Sequence, residues 1–209
     1  MDSISISEGN SKLGNVANLN LLPIATCDRC AGCTRPRPGI KGGGKSPQCY
    51  AAKAMRMYPS VRKAWSANTR AALRDVKDYF GQLGAWFAER GDVPWFCFHS
   101  AGDCPNPGYV RELVAFCRQH PDTRFLVFTK RYAWWNRYRA LPTNLSVVYS
   151  AWPGLPMRNP HGRAVAWLDD ARQPDARVPR DARPCPGSCE GCMVCWGLGT
   201  GESVVFHAH

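Results

Sequence analysis

Trp95-Phe96-Cys97-Phe98-His99-Ser100-Ala101-Gly102-Asp103 opens a stretch that runs through Arg124-Phe125-Leu126-Val127-Phe128-Thr129 to Leu145-Ser146-Val147-Val148-Tyr149-Ser150. Each segment is a short run of aromatic and aliphatic residues bounded by turn-forming ones, which reads as a buried strand. Residues 108–119 between the first two carry helical spacing, and a short aromatic helix near 131–139 separates the second from the third. Strand, helix, strand, helix, strand in units this short implies parallel strands joined by right-handed crossovers. The fold class is therefore α/β. A chain of 209 residues is too short for eight such units together with long cysteine-bearing loops. The expected architecture is an incomplete β/α barrel or open parallel sheet, one domain over 1–209, with Cys-rich loops at both ends.

Upstream, Val61, Trp65, Thr69, Ala72, Val76, Phe80, Leu83 and Phe87 recur at helical spacing. One or two helices over roughly 50–90 follow, with Gly81 and Gly84 as the expected break. Downstream, Ala164-Val165-Ala166-Trp167 and Val204-Val205-Phe206 offer two more strands. Residues 34–48 form a Gly/Pro/basic loop, and 152–184 are irregular and rich in Pro, Arg and Asp.

Chemistry on a parallel sheet gathers at the C-terminal ends of the strands. That rule selects His99, Ser100 and Asp103 after the first strand, Thr129 and Lys130 after the second, Ser150 after the third, and His207 at the end of the last. His99, Asp103 and Lys130 are the expected catalytic groups. Ser100, Thr129 and Ser150, with Asn68 from the long helix, are the expected cofactor-binding ones. The plainer reading makes Asp103 a helix cap or a partner of the Lys130 ammonium, and has Asn68 bonding a neighbouring loop.

Eleven cysteines dominate the rest. Cys27, Cys30, Cys33 and Cys49 form an N-terminal loop over 27–49. Cys185, Cys189, Cys192 and Cys195 form a C-terminal cluster over 185–196. The first set has the three-plus-remote spacing that wraps an iron–sulfur cubane, and the second resembles a bacterial ferredoxin run read backwards. Four thiolates in eleven residues are crowded for one zinc, whose modules use two separated knuckles. One or two 4Fe–4S clusters are the expected cofactors, with structural zinc and plain reduced or disulfide cysteines as alternatives. Cys185, Cys192 and Cys195 lead the ligand set. Cys185, Cys189 and Cys192 also carry the Cys-x3-Cys-x2-Cys gaps of radical SAM enzymes. That motif belongs after an early strand, so a chance match is the preferred reading and no placed motif supports SAM. For Cys97, Cys104 and Cys117 the plainer core reading is preferred; Cys104, in a rim loop, has the stronger case of the three for a ligand or reactive thiol.

The formal net charge is +11. Lys53, Arg56, Arg62, Lys63, Arg70, Arg74 and Lys77, with Arg35, Arg37, Lys41 and Lys45 from the loop, make the N-terminal third strongly positive. Nucleic acid or another polyanion fits such a field; a solvated face offsetting an anionic cluster is the duller account. Tyr132, Trp134, Trp135 and Tyr138, interleaved with arginines, could stack single-stranded bases or simply pack on the sheet. An apolar fraction of 44% excludes a disordered chain. No apolar run approaches a membrane span, and Met1–Leu13 has no secretory pattern. Together with thiolate ligands, that predicts a cytoplasmic protein.

Leu13-Gly14-Asn15, Thr26-Cys27, Cys49-Tyr50-Ala51, Asn68, His99-Ser100-Ala101-Gly102-Asp103, Phe128-Thr129-Lys130 and Cys192-x2-Cys195-Trp196 occur in an order that resembles the phage family called gene product 88. Their shared order over about residues 11–207 carries the resemblance. It implies a phage-encoded iron–sulfur protein, similar to shortened radical SAM barrels and active in an infected bacterial host. The family's biochemical role is not something the resemblance implies. Cys30 and Cys33, with the Gly-rich insert before Cys49, depart from the family pattern.

The last expectation joins the two ends. A loop entering the final strand approaches it from the opposite rim. The Gly197-Leu198-Gly199-Thr200-Gly201 stretch is expected to carry the C-terminal cysteines round to the side of His99 and Asp103.

Overall fold

The computed structural model describes residues 3–27, 49–152, 155–169 and 177–207. Seven parallel strands form one open sheet: β1 (Ala17–Leu19), β2 (Trp95–Phe98), β3 (Arg124–Thr129), β4 (Leu145–Ser150), β5 (Val165–Asp169), β6 (Arg183–Pro184) and β7 (Ser203–His207). Their order is β1-β2-β3-β4-β5-β7-β6. The sheet does not close, which is the incomplete parallel architecture expected.

Among the described residues five α-helices accompany it: α1 (Tyr50–Met57), α2 (Pro59–Arg74), α3 (Val76–Arg90), α4 (Pro107–Gln119) and α5 (Tyr132–Trp135). The 50–90 region is three helices, and neither glycine breaks it. Tyr58 is extended ahead of Pro59, which starts α2 at its first turn. Asp75 then caps α3, its carboxylate accepting from the N–H groups of Lys77 and Asp78 at 2.9 and 3.1 Å. Gly81 lies in open space and Gly84 lets Phe116 of α4 approach to 3.9 Å of its Cβ position, so both are spacers inside α3. The aromatic helix expected near 131–139 is only the four residues of α5.

The pleat divides the side chains between two faces. Register aligns Phe96 with Phe125 and Leu145, and next to them Cys97 with Leu126 and Ser146. Phe96, Phe98, Phe125, Val127 and Val147 pack under Tyr79, Phe80, Leu83 and Phe87 of α3 and Tyr109, Leu113 and Phe116 of α4. Phe125 has the rings of Phe87, Phe96, Phe98 and Phe116 around it at 6.1, 6.1, 5.7 and 5.9 Å. The opposite face presents Cys97, Leu126, Val148, Ala166 and Val204, and what covers it is the C-terminal cysteine run.

Candidate metal centre

Where β2 ends, the chain turns sharply: His99 has φ 60° and Gly102 φ 80°. A Cβ on Gly102 would lie 2.7 Å from the carbonyl oxygen of Leu21, so only glycine lets the segment after β1 cross here. That segment is tied down by Leu21 N–H to Ala101 O and by Ala101 N–H to Asn20 Oδ1, both at 3.0 Å.

The crossing brings Asp103 into a buried hub. Its Oδ1 accepts from Cys104 N–H at 2.7 Å and from the Thr129 hydroxyl at 2.8 Å. Oδ2 accepts from Lys130 N–H at 2.7 Å, while the Asp103 N–H donates to Thr26 Oγ1 at 3.0 Å. Burial pushes the Asp103 carboxyl up, against the pull of these bonds and of the Lys130 charge. His99 Nε2 lies 2.9 Å from the Tyr109 hydroxyl of α4, and its Nδ1 4.0 Å from Cys104 Sγ. Burial drops the His99 pKa to about 3, so the imidazole is neutral. The donor atoms of His99, Asp103 and Cys104 all lie within 4.8 Å of one another. Among the described residues this group alone gathers at single-ion distance, and it could hold one metal ion.

The other rim residues scatter. Ser100 turns to the opposite face, its hydroxyl 3.7 Å from Cys97 Sγ. The Ser150 carbonyl accepts from the Tyr132 hydroxyl. The Lys130 ammonium sits 5.2 Å over the Trp152 ring. Asn68 is fully buried and laces the N-terminus to the post-β1 segment through Ser5 and the Asn20 carbonyl. His207 pairs with Asp169 at 3.0 Å, on the far side of the sheet. Of the residues expected at the rim, His99, Asp103, Thr129 and the Lys130 backbone meet. Thr26, Tyr109 and Trp135 complete the hub from directions a strand-end rule does not see.

None of the described cysteines is in a disulfide. Cys97 and Cys117 are core residues, at 1% and 0% exposure. The C-terminal run is fastened by Cys185 N–H to Val205 O at 2.8 Å and Cys189 N–H to Lys12 O at 2.7 Å. Ser146 donates to Cys195 O at 2.8 Å, and the Trp196 indole donates to Phe96 O at 3.2 Å. Burial, together with the neighbouring thiols, pushes Cys189 up and Cys195 up to about 12. Cys185, Cys189, Cys192 and Cys195 are neighbours, yet no three of their sulfurs fall within single-ion distance. Four thiols without a carboxylate are the donor types a cubane takes, and their sulfurs show no arrangement specific to one.

The glycine-rich path does not bring this run beside His99. His99 faces α4 and the run covers the other face of the sheet, because the pleat turns Cys97 and Phe98 in opposite directions. At the N-terminal end, Cys27 is pushed up to about 11 by burial and by Asp103, and it also feels Lys130 and Cys49. Cys30 and Cys33, and the loop cations from Arg35 to Lys45, lie outside the described residues. Tyr132 and Trp135 are 6% and 0% exposed, so neither offers a face to a nucleic-acid base.

No helix among the described residues is long and apolar enough to cross a membrane. No curated protein and no solved structure matches the chain. The family model described as gene product 88 does match, over residues 5–184. The matched span takes in the rim hub and ends one residue before Cys185, so the C-terminal run lies outside it. With most of its length covered, including the β2 turn and the Asp103 hub, the chain belongs to the gene product 88 family.

Proposed function

We propose that this protein is a metal-stapled, polyanion-binding protein. Cys185, Cys189, Cys192 and Cys195 hold an iron–sulfur cluster that fixes the C-terminal run over the sheet, and the basic surface of α1–α3 takes nucleic acid. The observation that carries this reading is the position of the run. Cys185, Cys189 and Cys195 pack with Leu126, Val148, Trp196 and Val204 as the cover of an apolar sheet face. Around them the longest regular element is three residues. Iron–thiolate bonds would supply the cross-links that such a short, irregular cover lacks.

Lys53, Arg56, Arg62, Lys63, Arg70, Arg74 and Lys77 are exposed along α1, α2 and the start of α3. Tyr50, at the start of α1, and Tyr58, between α1 and α2, are exposed by 66% and 53%. Cations beside open aromatic rings suit single-stranded nucleic acid, phosphates pairing with the former and bases stacking on the latter.

Anaerobic purification followed by iron, sulfide and zinc analysis tests the staple, and Cys192→Ser/Cys195→Ser is expected to lose iron and sulfide. Full iron loading in that variant overturns it. Titration with single-stranded DNA across a salt series tests the partner. Lys53→Ala/Arg62→Ala/Lys63→Ala is expected to lower the log–log salt slope by about 2. An unchanged slope removes this surface. Cleavage of S-adenosylmethionine to 5′-deoxyadenosine would replace the reading with a radical enzyme.

A further inference from the structure

We propose that His99, Asp103 and Cys104 hold one divalent ion of the zinc class, buried between the end of β2 and the helical layer, independently of the C-terminal cysteines. Three observations converge on it.

The first is the histidine tautomer. The Tyr109 hydroxyl donates to the Tyr79 hydroxyl at 3.3 Å, so its oxygen accepts from His99 Nε2–H at 2.9 Å. Nδ1 is then the acceptor, its lone pair turned toward the Cys104 thiol with Sγ 4.0 Å away. A ligating histidine fixed through its other nitrogen has this pattern. Nitrogen and sulfur bound to one tetrahedral zinc stand roughly 3.5 Å apart, so a small contraction closes the pair on an ion.

The second is the state of Asp103. Its carboxylate has about four lone-pair positions, and Cys104 N–H, Thr129 Oγ–H and Lys130 N–H occupy three. One position is left, enough for a single bond to metal. The same hydrogen bonds hold the carboxylate at the hub.

The third is an orphan. Trp135 is fully buried and its indole N–H has no hydrogen-bond partner. It borders the Cys104 sulfur. A thiol is a weak acceptor, whereas a metal-bound thiolate is a good one, so an ion that keeps Cys104 deprotonated also satisfies Trp135. The indole would then orient the sulfur, as Tyr109 orients the imidazole. The site is closed to solvent, with its three residues 3%, 3% and 0% exposed. The ion is therefore acquired during folding, and it ties the β2 turn to α4 and α5.

The test is zinc content and zinc K-edge absorption on the purified full-length protein, with iron and sulfide measured in the same sample. One zinc with a single sulfur and lighter N/O neighbours is expected. Cys104→Ser should lose that zinc, and Trp135→Phe should bind it about tenfold more weakly. Both should keep the iron and sulfide of the wild type, which report separately on the C-terminal cysteines. Zinc surrounded by four sulfurs only, or no zinc above the Cys104→Ser level, overturns the site. Should Cys104→Ser fail to fold, the sulfur count around wild-type zinc and the Trp135→Phe affinity still decide it.

Discussion

The face of the sheet that carries Phe96, Phe98 and Phe125 is covered by α3 and α4, helices of 15 and 13 residues. The face that carries Cys97, Leu126 and Val148 is covered by a run whose longest element is a three-residue turn of 3-10 helix. The first cover is held by its own hydrogen-bonded backbone and by a web of aromatic rings, so its stability travels with the fold. The second has few main-chain bonds and small apolar side chains beneath it. It is fastened by single hydrogen bonds at Cys185, Cys189, Cys195 and Trp196, to which the proposed cluster would add.

Breaking the aromatic side should cost most. Phe125→Ala removes the ring at the centre of the web, and about 3–5 kcal/mol of unfolding free energy should go with it. Urea denaturation should give the same loss with and without a strong chelator. A chelator-dependent loss would mean that the two faces are not separable in the way described.

Acid should act on the buried His99 at the rim of that side. The folded state holds His99 near a pKa of about 3 against an ordinary 6.5. As pH falls through 6.5 the unfolded chain takes up a proton that the folded one refuses, so stability is lost toward acid. Between pH 7.5 and 5.0 the loss should be about 2 kcal/mol. His99→Gln, measured in chelator so that no metal competes, should remove that part of the pH dependence.

The smallest effect sharpens the comparison most. Trp196→Phe deletes the indole bond to Phe96 O and should cost about 1 kcal/mol in metal-loaded protein. In stripped protein the cost should vanish, because a run that has lifted off no longer makes the bond. An equal cost in both states would mean the run stays seated without metal.

The strands β2, β3 and β4 were plain in the sequence because they are unbroken apolar runs between turn residues. β1 was not legible: it is three residues with a polar Asn18 at its centre, buried because its amide bonds the Val16 carbonyl at 3.2 Å. The helix breaks were present as Tyr58-Pro59 and Asp75, and the glycines of α3 drew attention away from them. At the site, the strand-end rule found His99, Asp103 and Thr129, while Cys104 reads, with Cys97 and Cys117, as a core cysteine whose rim position only raises the case for a ligand. The same rule brought in Ser100 and Ser150, because it takes no account of which way the pleat turns each residue. Tyr109 and Trp135 escaped for a different reason. Their polar atoms reach the hub from the helical layer, and in the sequence each reads as an ordinary aromatic packing residue.

The peptide of Phe96 is where both ends of the chain are fastened. Ala17 pairs with it from one side, and Trp196, 100 positions further along, bonds its carbonyl. Both attachments close very long loops, so their entropy is spent before any contact repays it, and they form after the local strand–helix units. Interactions made that late contribute little to the rate of folding and mostly to the slowness of unfolding. A metal holding the C-terminal run would thus act as a latch on the lifetime of the native state, set on the same strand that the N-terminal segment must also release.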